Sequence, residues 1–270
     1  MSKTWFITGT SRGLGRAFTQ AALERGDRVA ATARNTAALA GLVDAFGDAV
    51  LALPLDVTDR TSIDAAVTAA HAHFGRLDVV VNNAGYGLLG MIEEVSETQL
   101  RDQLETNFFG AFRVTQAVLP ILRAQGHGHL VQISSVGGVT AFPYLGGYYA
   151  SKWALEGLSE ALAREVAPFG IDVTLIEPGL FDTGGMAANV RADPLPAYDQ
   201  VRAVFFAGNA NQQAGDPAAA AAALLRVVDA DQPPLRVLFG TGLAPMVQHV
   251  YADRLATWAD WEQVGAAAQH

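Results

Sequence analysis

Cysteine is absent from this 270-residue chain, which excludes disulfides, thiolate metal sites and cysteine nucleophiles together. Charged residues are also scarce, at 17%, and the acidic ones outnumber the basic ones to give a formal net charge of −9. Nucleic acids and anionic membranes attract basic surfaces, so we expect no nucleic-acid or membrane partner.

Long apolar runs are missing as well. No stretch approaches the ~18 residues that a membrane span needs, and the first strand-like run starts too near the N-terminal methionine for a signal peptide. We therefore expect a cytoplasmic protein. Apolar residues nevertheless make up 50% of the chain, enough to bury a large sheet within a single domain of residues 1–270.

Short β-branched and apolar runs alternate with amphipathic stretches along most of the chain. The runs predict strands at 5–8, 28–33, 50–55, 77–81, 129–133, 172–176 and 236–239, and the stretches predict helices at 18–24, 63–73, 100–122 and 153–166. This alternation is typical of an α/β fold of the Rossmann type, a doubly wound parallel sheet of mainly seven strands with helices on both faces. Ligands of such sheets bind beyond the carboxyl ends of the strands.

Two segments depart from the alternation. Residues 184–215, with Pro194, Phe205 and Phe206, are predicted to form a lid over the substrate pocket. Residues 242–270 form a C-terminal extension that carries Trp258 and Trp261, and the sequence leaves open whether these cap the pocket or lie at a subunit interface.

A glycine-rich turn follows the first predicted strand directly. Its sequence is Thr8-Gly9-Thr10-Ser11-Arg12-Gly13-Leu14-Gly15. Glycines let the backbone turn tightly and approach a ligand, and the amides at the start of the next helix would face a pyrophosphate. The alternative is a plain tight connection between strand and helix.

This T-G-x-x-x-G-x-G turn resembles the signature of the short-chain dehydrogenase/reductase family, and the resemblance extends over residues 3–183. The resemblance implies that Gly9, Ser11, Arg12, Gly13, Leu14 and Gly15 bind the cofactor. In that family an acidic residue after the second strand binds the ribose of NAD. Here Arg34 follows Ala33, and a guanidinium can hold the 2′-phosphate of NADP(H) through charge-assisted hydrogen bonds. Arg12 lies where many members place a second basic residue, so NADP(H) is the expected cofactor.

Three further segments resemble cofactor-binding segments of the family. Asp56-Val57 resembles the pair that meets the adenine, although Asp56 could instead cap residues 58–62. Asn82-Asn83-Ala84-Gly85 matches the N-N-A-G motif, whose second asparagine ties neighbouring strands together. Pro178, Gly179 and Thr183 match the segment that grips the nicotinamide carboxamide.

Tyr148 and Lys152 are spaced one helical turn apart and lie on the same helix face. A free tyrosine titrates near ~10, and a neighbouring lysine cation is expected to lower its pKa toward neutrality so that the phenol can act as an acid and as a base. Such pairs are common on helices. Here the pair matches the catalytic Y-x-x-x-K of the family, and the resemblance implies that both residues also bind the cofactor.

The same resemblance assigns two more catalytic residues. Ser135 ends a predicted strand and matches the serine that orients the substrate oxygen. Asn107 aligns with the asparagine that supports a proton relay from the lysine, although it could instead be a buried residue in a helix bend. The neighbours Ser134 and Tyr149 are assigned to packing. Glu177 stands before Pro178, where glutamate is seen in hydroxysteroid-like and retinol-like relatives, and it is therefore noted as a hint about the substrate. The six histidines show no metal-ligand spacing and are interpreted as surface residues.

The predicted function is NADP(H)-dependent interconversion of a carbonyl and an alcohol (EC 1.1.1.-). The apolar pocket predicted for a small hydrophobic substrate would use Tyr86, Leu88, Leu89, Phe142, Pro143, Tyr144 and the lid. The predicted helices 100–122 and 153–166 match those through which family members pair, so we expect a homodimer or homotetramer. Two other readings stay open: a catalytically idle NADP-binding sensor or interaction protein on the same fold, and an isomerase or lyase that recycles its cofactor.

Overall fold

Nine strands are present in the computed structural model, which describes residues 2–184 and 189–269. They are β1 Thr4–Ile7, β2 Arg28–Ala33, β3 Val50–Pro54, β4 Val79–Asn82, β5 Leu88–Leu89, β6 Gly128–Ile133, β7 Ile171–Pro178, β8 Val190–Arg191 and β9 Arg236–Phe239. Seven of them form a parallel sheet in the order β3-β2-β1-β4-β6-β7-β9, and β5 pairs separately with β8.

The strand order reverses beside β1. Ile7 pairs with Ala31 of β2 on one side and with Val81 of β4 on the other. The chain leaves β3 at one edge of the sheet and returns to the centre as β4, so the crevice at the carboxyl ends of β1 and β4 is the topological switch point, where doubly wound folds bind their ligands.

Helices cover both faces of the sheet. Their bounds are α1 Gly13–Glu24, α2 Ala40–Phe46, α3 Arg60–Phe74, α4 Glu97–Leu104, α5 Gly110–Gln125, α6 Gly146–Val166, α7 Asp199–Asn209, α8 Pro217–Val228, α9 Leu243–Asp260 and α10 Glu262–Ala267. One core cluster packs α1 and α8 against the sheet around Phe18 and Leu224, and the other packs α3, α5 and α6 against it around Ile63 and Leu162. The predicted single-domain fold of Rossmann type is confirmed.

The predicted helix at 100–122 is interrupted. Residues Glu105–Phe109 form one π-helical turn between α4 and α5, with the Gly110 amide bonded to the Glu105 carbonyl. Such a turn inserts one extra residue into the helix and changes the direction of the side chains that follow. Asn107 lies in this turn and is buried.

The prediction that all six histidines lie at the surface is wrong for His129. This side chain is buried on β6, where its Nε2 lies 2.9 Å from the hydroxyl of Thr174. The Thr174 hydroxyl donates to the Pro234 carbonyl, which can only accept, so Nε2 of His129 must carry the hydrogen. Burial lowers the pKa of His129 to about 4, and a repulsion from Lys3 adds to this.

The segment predicted as a lid carries β8 and the helix α7, and residues 185–188 of it lie outside the described residues. Phe205 and Phe206 of α7 place their ring centroids 5.7 and 5.4 Å from that of Tyr144. Glu94 anchors the segment, because its carboxylate pairs with Arg202 of α7 and accepts the backbone amide of Leu195 at 2.9 Å.

The C-terminal extension forms α9 and α10, neither of which has a buried residue. Trp258 and Trp261 are 67% and 64% exposed, so they do not cap the pocket of their own chain. Within the part of the chain that the structure describes, no helix combines the length and the apolar character needed to cross a membrane.

Candidate active site

The glycine turn joins β1 to α1 at the switch point. Gly9 and Gly13 adopt φ angles of +72° and +59°, which side chains rarely tolerate. Gly15 is required for a different reason: a Cβ there would lie 2.4 Å from Asn83 Nδ2 and 2.4 Å from the Gly9 carbonyl. The turn therefore depends on glycine at these positions.

The start of α1 is open toward the crevice. Its N-cap residue, Arg12, is extended and makes no side-chain hydrogen bond to the helix. The first amides of a helix have no partners within the helix and carry the positive end of its dipole, so a phosphate is the natural ligand for them.

Asn83 connects the ends of the two central strands. Its side-chain amide donates to the carbonyls of Thr8 at 2.8 Å and Gly9 at 3.1 Å, and the amides of Asn83 and Ala84 both donate to the Thr8 hydroxyl at 2.9 Å. These bonds fix the N-N-A-G segment against the glycine turn, as the resemblance implied.

Arg34 and Asp56 lie near each other at one end of the crevice, beyond β2 and β3. Asp56 accepts the amide and hydroxyl of Thr58 at 2.9 and 2.7 Å, so the local capping that the sequence left open is present. These bonds, chiefly that of the Thr58 amide, lower the pKa of Asp56 against its partial burial, and the positive charge of Arg34 adds to the effect. Asp56 and Arg34 still line the same cleft, and so does Arg12.

Ser135, Tyr148 and Lys152 meet at the other end of the crevice. The short turn after β6 presents Ser135, whose hydroxyl donates to the Pro178 carbonyl at 3.3 Å and lies near Tyr148. Lys152 is buried, its ammonium lies 5.7 Å from the centre of the Tyr148 ring, and it donates to the Ile133 carbonyl at 2.8 Å. The sequence could not have predicted this partner, because it is a backbone carbonyl, which every residue has.

The structure does not bear out the expected lowering of the Tyr148 pKa by Lys152. Burial raises the pKa of Tyr148, and only the hydrogen bond from Ser135 opposes it. Burial lowers the pKa of Lys152 to about 8, against the attraction of Glu156. Desolvation is the largest influence on the pKa of each of these two groups. Tyr148 is therefore a protonated phenol at neutral pH.

Asn107 binds the backbone of Tyr86, a residue of the predicted substrate wall. Its side-chain carbonyl accepts the Tyr86 amide at 3.1 Å, and its side-chain amide donates to the Tyr86 carbonyl at 2.9 Å and to the Ser151 hydroxyl at 3.2 Å. Through Ser151 it reaches the helix of Tyr148 and Lys152. The π turn that sequence periodicity missed is what points Asn107 inward.

One cleft of about 2540 Å³ joins these parts. It is lined by all the predicted catalytic and cofactor-binding residues except Gly15 and Asn107, which are packed behind its wall. Of the predicted substrate wall, Tyr86, Leu89, Phe142 and Pro143 line the cleft, but the assignments of Leu88 and Tyr144 were wrong. Leu88 is buried against Gly147, and Tyr144 packs beneath the lid helix.

The cleft also contains residues that the sequence did not single out. Val201 and Val204 of α7 line it from the lid side, and Leu243 and Met246 of α9 close it from the C-terminal side. Amphipathic spacing within the lid could have indicated α7. Ser134 and Tyr149 are buried, consistent with packing, although both also reach the cleft wall.

Comparison with known proteins agrees with this geometry. The family described as short chain dehydrogenase matches residues 3–194. The chain is 42% identical to Oxidoreductase BOA17 of Botryotinia fuckeliana, over 89% of each chain. It is 37% identical to a 3-ketodihydrosphingosine reductase of Bacteroides thetaiotaomicron, over 91% of this chain and 89% of the relative. A crystal structure of a short-chain dehydrogenase from Streptomyces avermitilis superimposes with a TM-score of 0.93 at 42% identity, covering 99% and 98% of the two chains.

The chain belongs to the short-chain dehydrogenase family. This family and the similar proteins make it an oxidoreductase. The family match ends at residue 194, so the lid helix and the C-terminal extension lie beyond it, whereas the Streptomyces structure covers nearly the whole chain.

This short-chain dehydrogenase has a cleft that fits a dinucleotide cofactor. The uncapped start of α1 suits the pyrophosphate, and Gly9 and Gly13 allow the backbone to approach it. Side chains at these glycines would meet Ala84 at 3.0 Å and Thr183 at 3.1 Å, so the walls on both sides are already close. Among the residues that the structure describes, no cluster of three or more potential metal ligands occurs.

Proposed function

We propose that this chain interconverts a carbonyl and an alcohol with NADP(H), using Tyr148 as the acid and base. The observation that carries the proposal is that Ser135, Tyr148 and Lys152 line one part of the cleft, with the Lys152 ammonium 5.7 Å from the centre of the Tyr148 ring. Two hydroxyl groups at one point can both bind a substrate oxygen.

The proton steps follow from the state of Tyr148. In reduction the phenol donates its proton to the substrate oxygen while a C–H bond forms at the carbonyl carbon; in oxidation the phenolate removes the hydroxyl proton of the alcohol. Ser135 orients the substrate oxygen by hydrogen bonding. The nicotinamide cofactor, when bound, supplies the hydride for reduction and accepts it in oxidation.

Lys152 and Asn107 support these steps. The Lys152 ammonium places a positive charge beside the phenol, which stabilises the phenolate that remains after proton donation. Asn107 is proposed to support proton return to Lys152, because its bond to Ser151 brings it to the same helix. Pro178, Gly179 and Thr183 are proposed to hold the nicotinamide, since all three line the cleft and Pro178 contacts Ser135.

NADP(H) is proposed over NAD(H) because Arg34 and Arg12 both line the cleft near the predicted ribose position. A carboxylate in the place of Arg34 would repel a 2′-phosphate, whereas a guanidinium binds it with two donors. Asp56 lies next to Arg34, and its Oδ1 accepts both the amide and the hydroxyl of Thr58.

The proposed substrate is a hydrophobic ketone, aldehyde or secondary alcohol. The free part of the cleft is bordered by Leu89, Phe142, Val204 and Phe205, which offer apolar contacts. The relative named 3-ketodihydrosphingosine reductase acts, by its name, on a ketone, and its similarity extends over most of both chains. This supports a ketone with an apolar body as the first class to assay.

The test compares NADPH and NADH oxidation over a panel of hydrophobic ketones and aldehydes, in the wild type and in Arg34→Ala. We expect turnover with NADPH preferred, and a rise in the KM for NADPH of about 10-fold or more in the variant, the value of a charged hydrogen bond. The KM for NADH should change little. Arg16→Ala is the matched control, since Arg16 of α1 is also an arginine but binds the Ala38 carbonyl outside the cleft. Tight NADPH binding with no turnover on any substrate would favour the alternative hypothesis of a catalytically idle NADP-binding sensor or interaction protein.

A further inference from the structure

The stretch of chain between the N-N-A-G motif and α4 supports the lid. This stretch, residues 86–95, is called the lid platform and contains β5. In the lid, the amides of Val190 and Ala192 donate to the carbonyls of Gly87 and Leu89 at 2.9 and 2.8 Å. Backbone hydrogen bonds therefore join the lid to a segment that continues directly from the proposed cofactor wall.

Apolar packing extends this contact toward α7. Leu89 and Met91 of the platform form a buried cluster with Tyr144, and Tyr198 and Phe205 of the lid pack against it. The hydrophobic effect is not directional. This cluster therefore holds α7 close to the platform but does not by itself fix how the helix is rotated about its axis.

Glu94 of the platform supplies the directional contacts. Its side chain is 1% exposed. One carboxylate oxygen, Oε1, binds Arg202 of α7 and accepts the Leu195 amide at 2.9 Å, and the other, Oε2, accepts the Met91 amide at 2.7 Å. A carboxylate that is so deeply buried needs a cation and hydrogen-bond donors. Arg202, whose side chain is 15% exposed, supplies the positive charge.

The residues of α7 that contact the platform lie beside those that line the cleft. Arg202 and Phe205 are three residues apart and contact the platform. Val201 and Val204 are also three residues apart, and they line the cleft. Residues at this spacing share a helix face, so the two pairs occupy adjacent faces of α7. The bond between Arg202 and Glu94 therefore fixes the direction in which both valines point.

The two valines are left open to the cleft. Val201 is 43% exposed and Val204 is 68% exposed, and the cleft that they line is also lined by Tyr86 and Phe142. Apolar side chains on the wall of a cleft gain free energy when an apolar ligand displaces the water beside them. A substrate with an extended apolar body would provide that contact, whereas a short one would not.

We propose that Glu94 and Arg202 are positioning residues that hold α7 in the orientation in which Val201 and Val204 form a wall for the apolar body of the substrate. The wall makes the enzyme prefer ketones with a long apolar body over short ones. This rests on the proposed carbonyl reduction and names the substrate class of the same site.

Three variants separate the anchor from the wall. Arg202→Met removes the cation but keeps an unbranched side chain of similar length. Asp199→Asn is the matched control, because Asp199 accepts from Nη1 of the same guanidinium at 2.6 Å but its side chain is 70% exposed. Exposed ion pairs contribute little to stability. Val204→Ala shortens the wall and leaves both partners of the anchor in place.

Hydrogen–deuterium exchange of the α7 amides tests the anchor and needs neither cofactor nor turnover. Arg202→Met should raise the rate of exchange in α7 by about 10-fold or more, the value of a charged hydrogen bond. Asp199→Asn should exchange like the wild type. Unchanged exchange in Arg202→Met, or an equal rise in Asp199→Asn, would overturn the proposed anchor.

Ketone selectivity tests the wall. NADPH-dependent turnover is compared for butan-2-one and decan-2-one, which share the same methyl ketone group and differ in the length of the apolar body. The wild type should have the higher kcat/KM for decan-2-one. Arg202→Met and Val204→Ala should each raise the KM for decan-2-one by about 10-fold, with a much smaller change for butan-2-one. Asp199→Asn should keep the selectivity of the wild type.

This split distinguishes a positioning role from a merely structural one. Loss of folded enzyme would lower the turnover of both ketones alike, and it would not change the ratio of their kcat/KM values. The same ratio in the wild type, Arg202→Met and Val204→Ala would overturn the proposed wall. If Arg202→Met does not fold, Glu94→Gln removes the charge from the other side of the pair and should give the same rise in exchange and in KM.

Failure of the proposed function would be recognised separately. A protein that reduces neither ketone would contradict the proposed carbonyl reduction, while exchange would still decide whether Arg202 holds α7. In that case, protection of the α7 amides by added decan-2-one, present in the wild type and weaker in Val204→Ala, would support the wall as a binding surface. Equal exchange with and without decan-2-one would overturn it.

Discussion

An added methyl group at residue 15 would block the glycine turn. A Cβ there would meet Asn83 and the Gly9 carbonyl at the same time, and Asn83 cannot withdraw because it holds both Thr8 and Gly9. The backbone would have to shift where the cofactor is proposed to bind.

Gly15→Ala should therefore lose stability by about 1–3 kcal/mol, as overpacking does, and weaken NADPH binding by about 10-fold or more, as loss of a charged hydrogen bond would. Thermal unfolding and a fluorescence titration with NADPH measure the two effects. Gly157→Ala is the control, since a Cβ on this helical glycine would meet nothing within 4 Å, and it should be neutral or stabilising. Unchanged NADPH affinity in Gly15→Ala would contradict this account of the turn.

The burial of Glu156 and Glu177 could not be predicted from the sequence. In a sequence, glutamates are expected at the surface, and Glu177 was noted only as a hint about the substrate. Their burial follows from Arg236, which lies 80 positions after Glu156 and is brought beside it by β9. The sequence feature that could have drawn attention to Glu156 is its spacing, one helical turn after Lys152.

At the scale of elements, the buried strands were the most predictable part. The predicted bounds of β2 and β9 match the structure, because each is a short apolar run between polar residues. The helices were predicted too short at their starts. For example, α6 begins at Gly146, seven residues before the predicted start at 153, because its first two turns carry the small and aromatic residues of the site instead of an apolar stripe.

The sequence predicted most of the residues that line the candidate site, but not the contacts that hold the surrounding segments in place. The glycine turn, Asn83, Ser135, Tyr148 and Lys152 lie where motif spacing placed them, since the ends of parallel strands meet at one edge of the sheet. Leu88 was misplaced because neighbouring residues of the short strand β5 point to opposite faces, and Tyr144 because it lies in a turn whose side chain packs against Phe205 of α7. The Glu94 anchor of the lid depends on contacts over 100 positions apart in sequence, which periodicity does not contain.

His129 on β6 should make the protein sensitive to acid. Its pKa falls from 6.5 in the unfolded chain to about 4 in the fold, so the unfolded state takes up a proton first as the pH falls. The free energy of unfolding is therefore highest above pH 6.5 and falls by about 3 kcal/mol as the pH is lowered to about 4. Chemical unfolding at a series of pH values, in the wild type and His129→Gln, measures this loss as the difference between the two curves.

His249→Gln serves as the control for that experiment, since His249 is exposed on α9. The variant His129→Gln keeps a donor for Thr174 but cannot titrate. Parallel curves for the wild type and His129→Gln between pH 6.5 and 4 would contradict the assignment of a neutral buried imidazole.

At the scale of the whole molecule, exposed aromatic side chains remain on the helices through which we propose that subunits pair. Phe109 and Trp153 are 40% and 38% exposed, beside α5 and on α6, and Phe169 at the end of α6 is 44% exposed. Exposed apolar side chains of this size commonly mark contact surfaces.

We accordingly expect a homodimer or homotetramer at micromolar concentrations. Sedimentation equilibrium measures the mass directly against the 28.4 kDa of one chain. A single species of monomer mass across the concentration range would contradict the proposed pairing, and the exposed aromatic side chains would then need another explanation.

The central claim is that Tyr148 carries the proton in carbonyl reduction, and adjacent tyrosines permit a matched test. Turnover of a hydrophobic ketone with NADPH is measured in Tyr148→Phe and in Tyr149→Phe, together with NADPH binding in both. The account predicts a loss of about 10²–10⁴-fold in kcat for Tyr148→Phe, NADPH binding retained, and activity within a few-fold of wild type for Tyr149→Phe. Equal activities of wild type and Tyr148→Phe, or a larger loss in Tyr149→Phe, would contradict it.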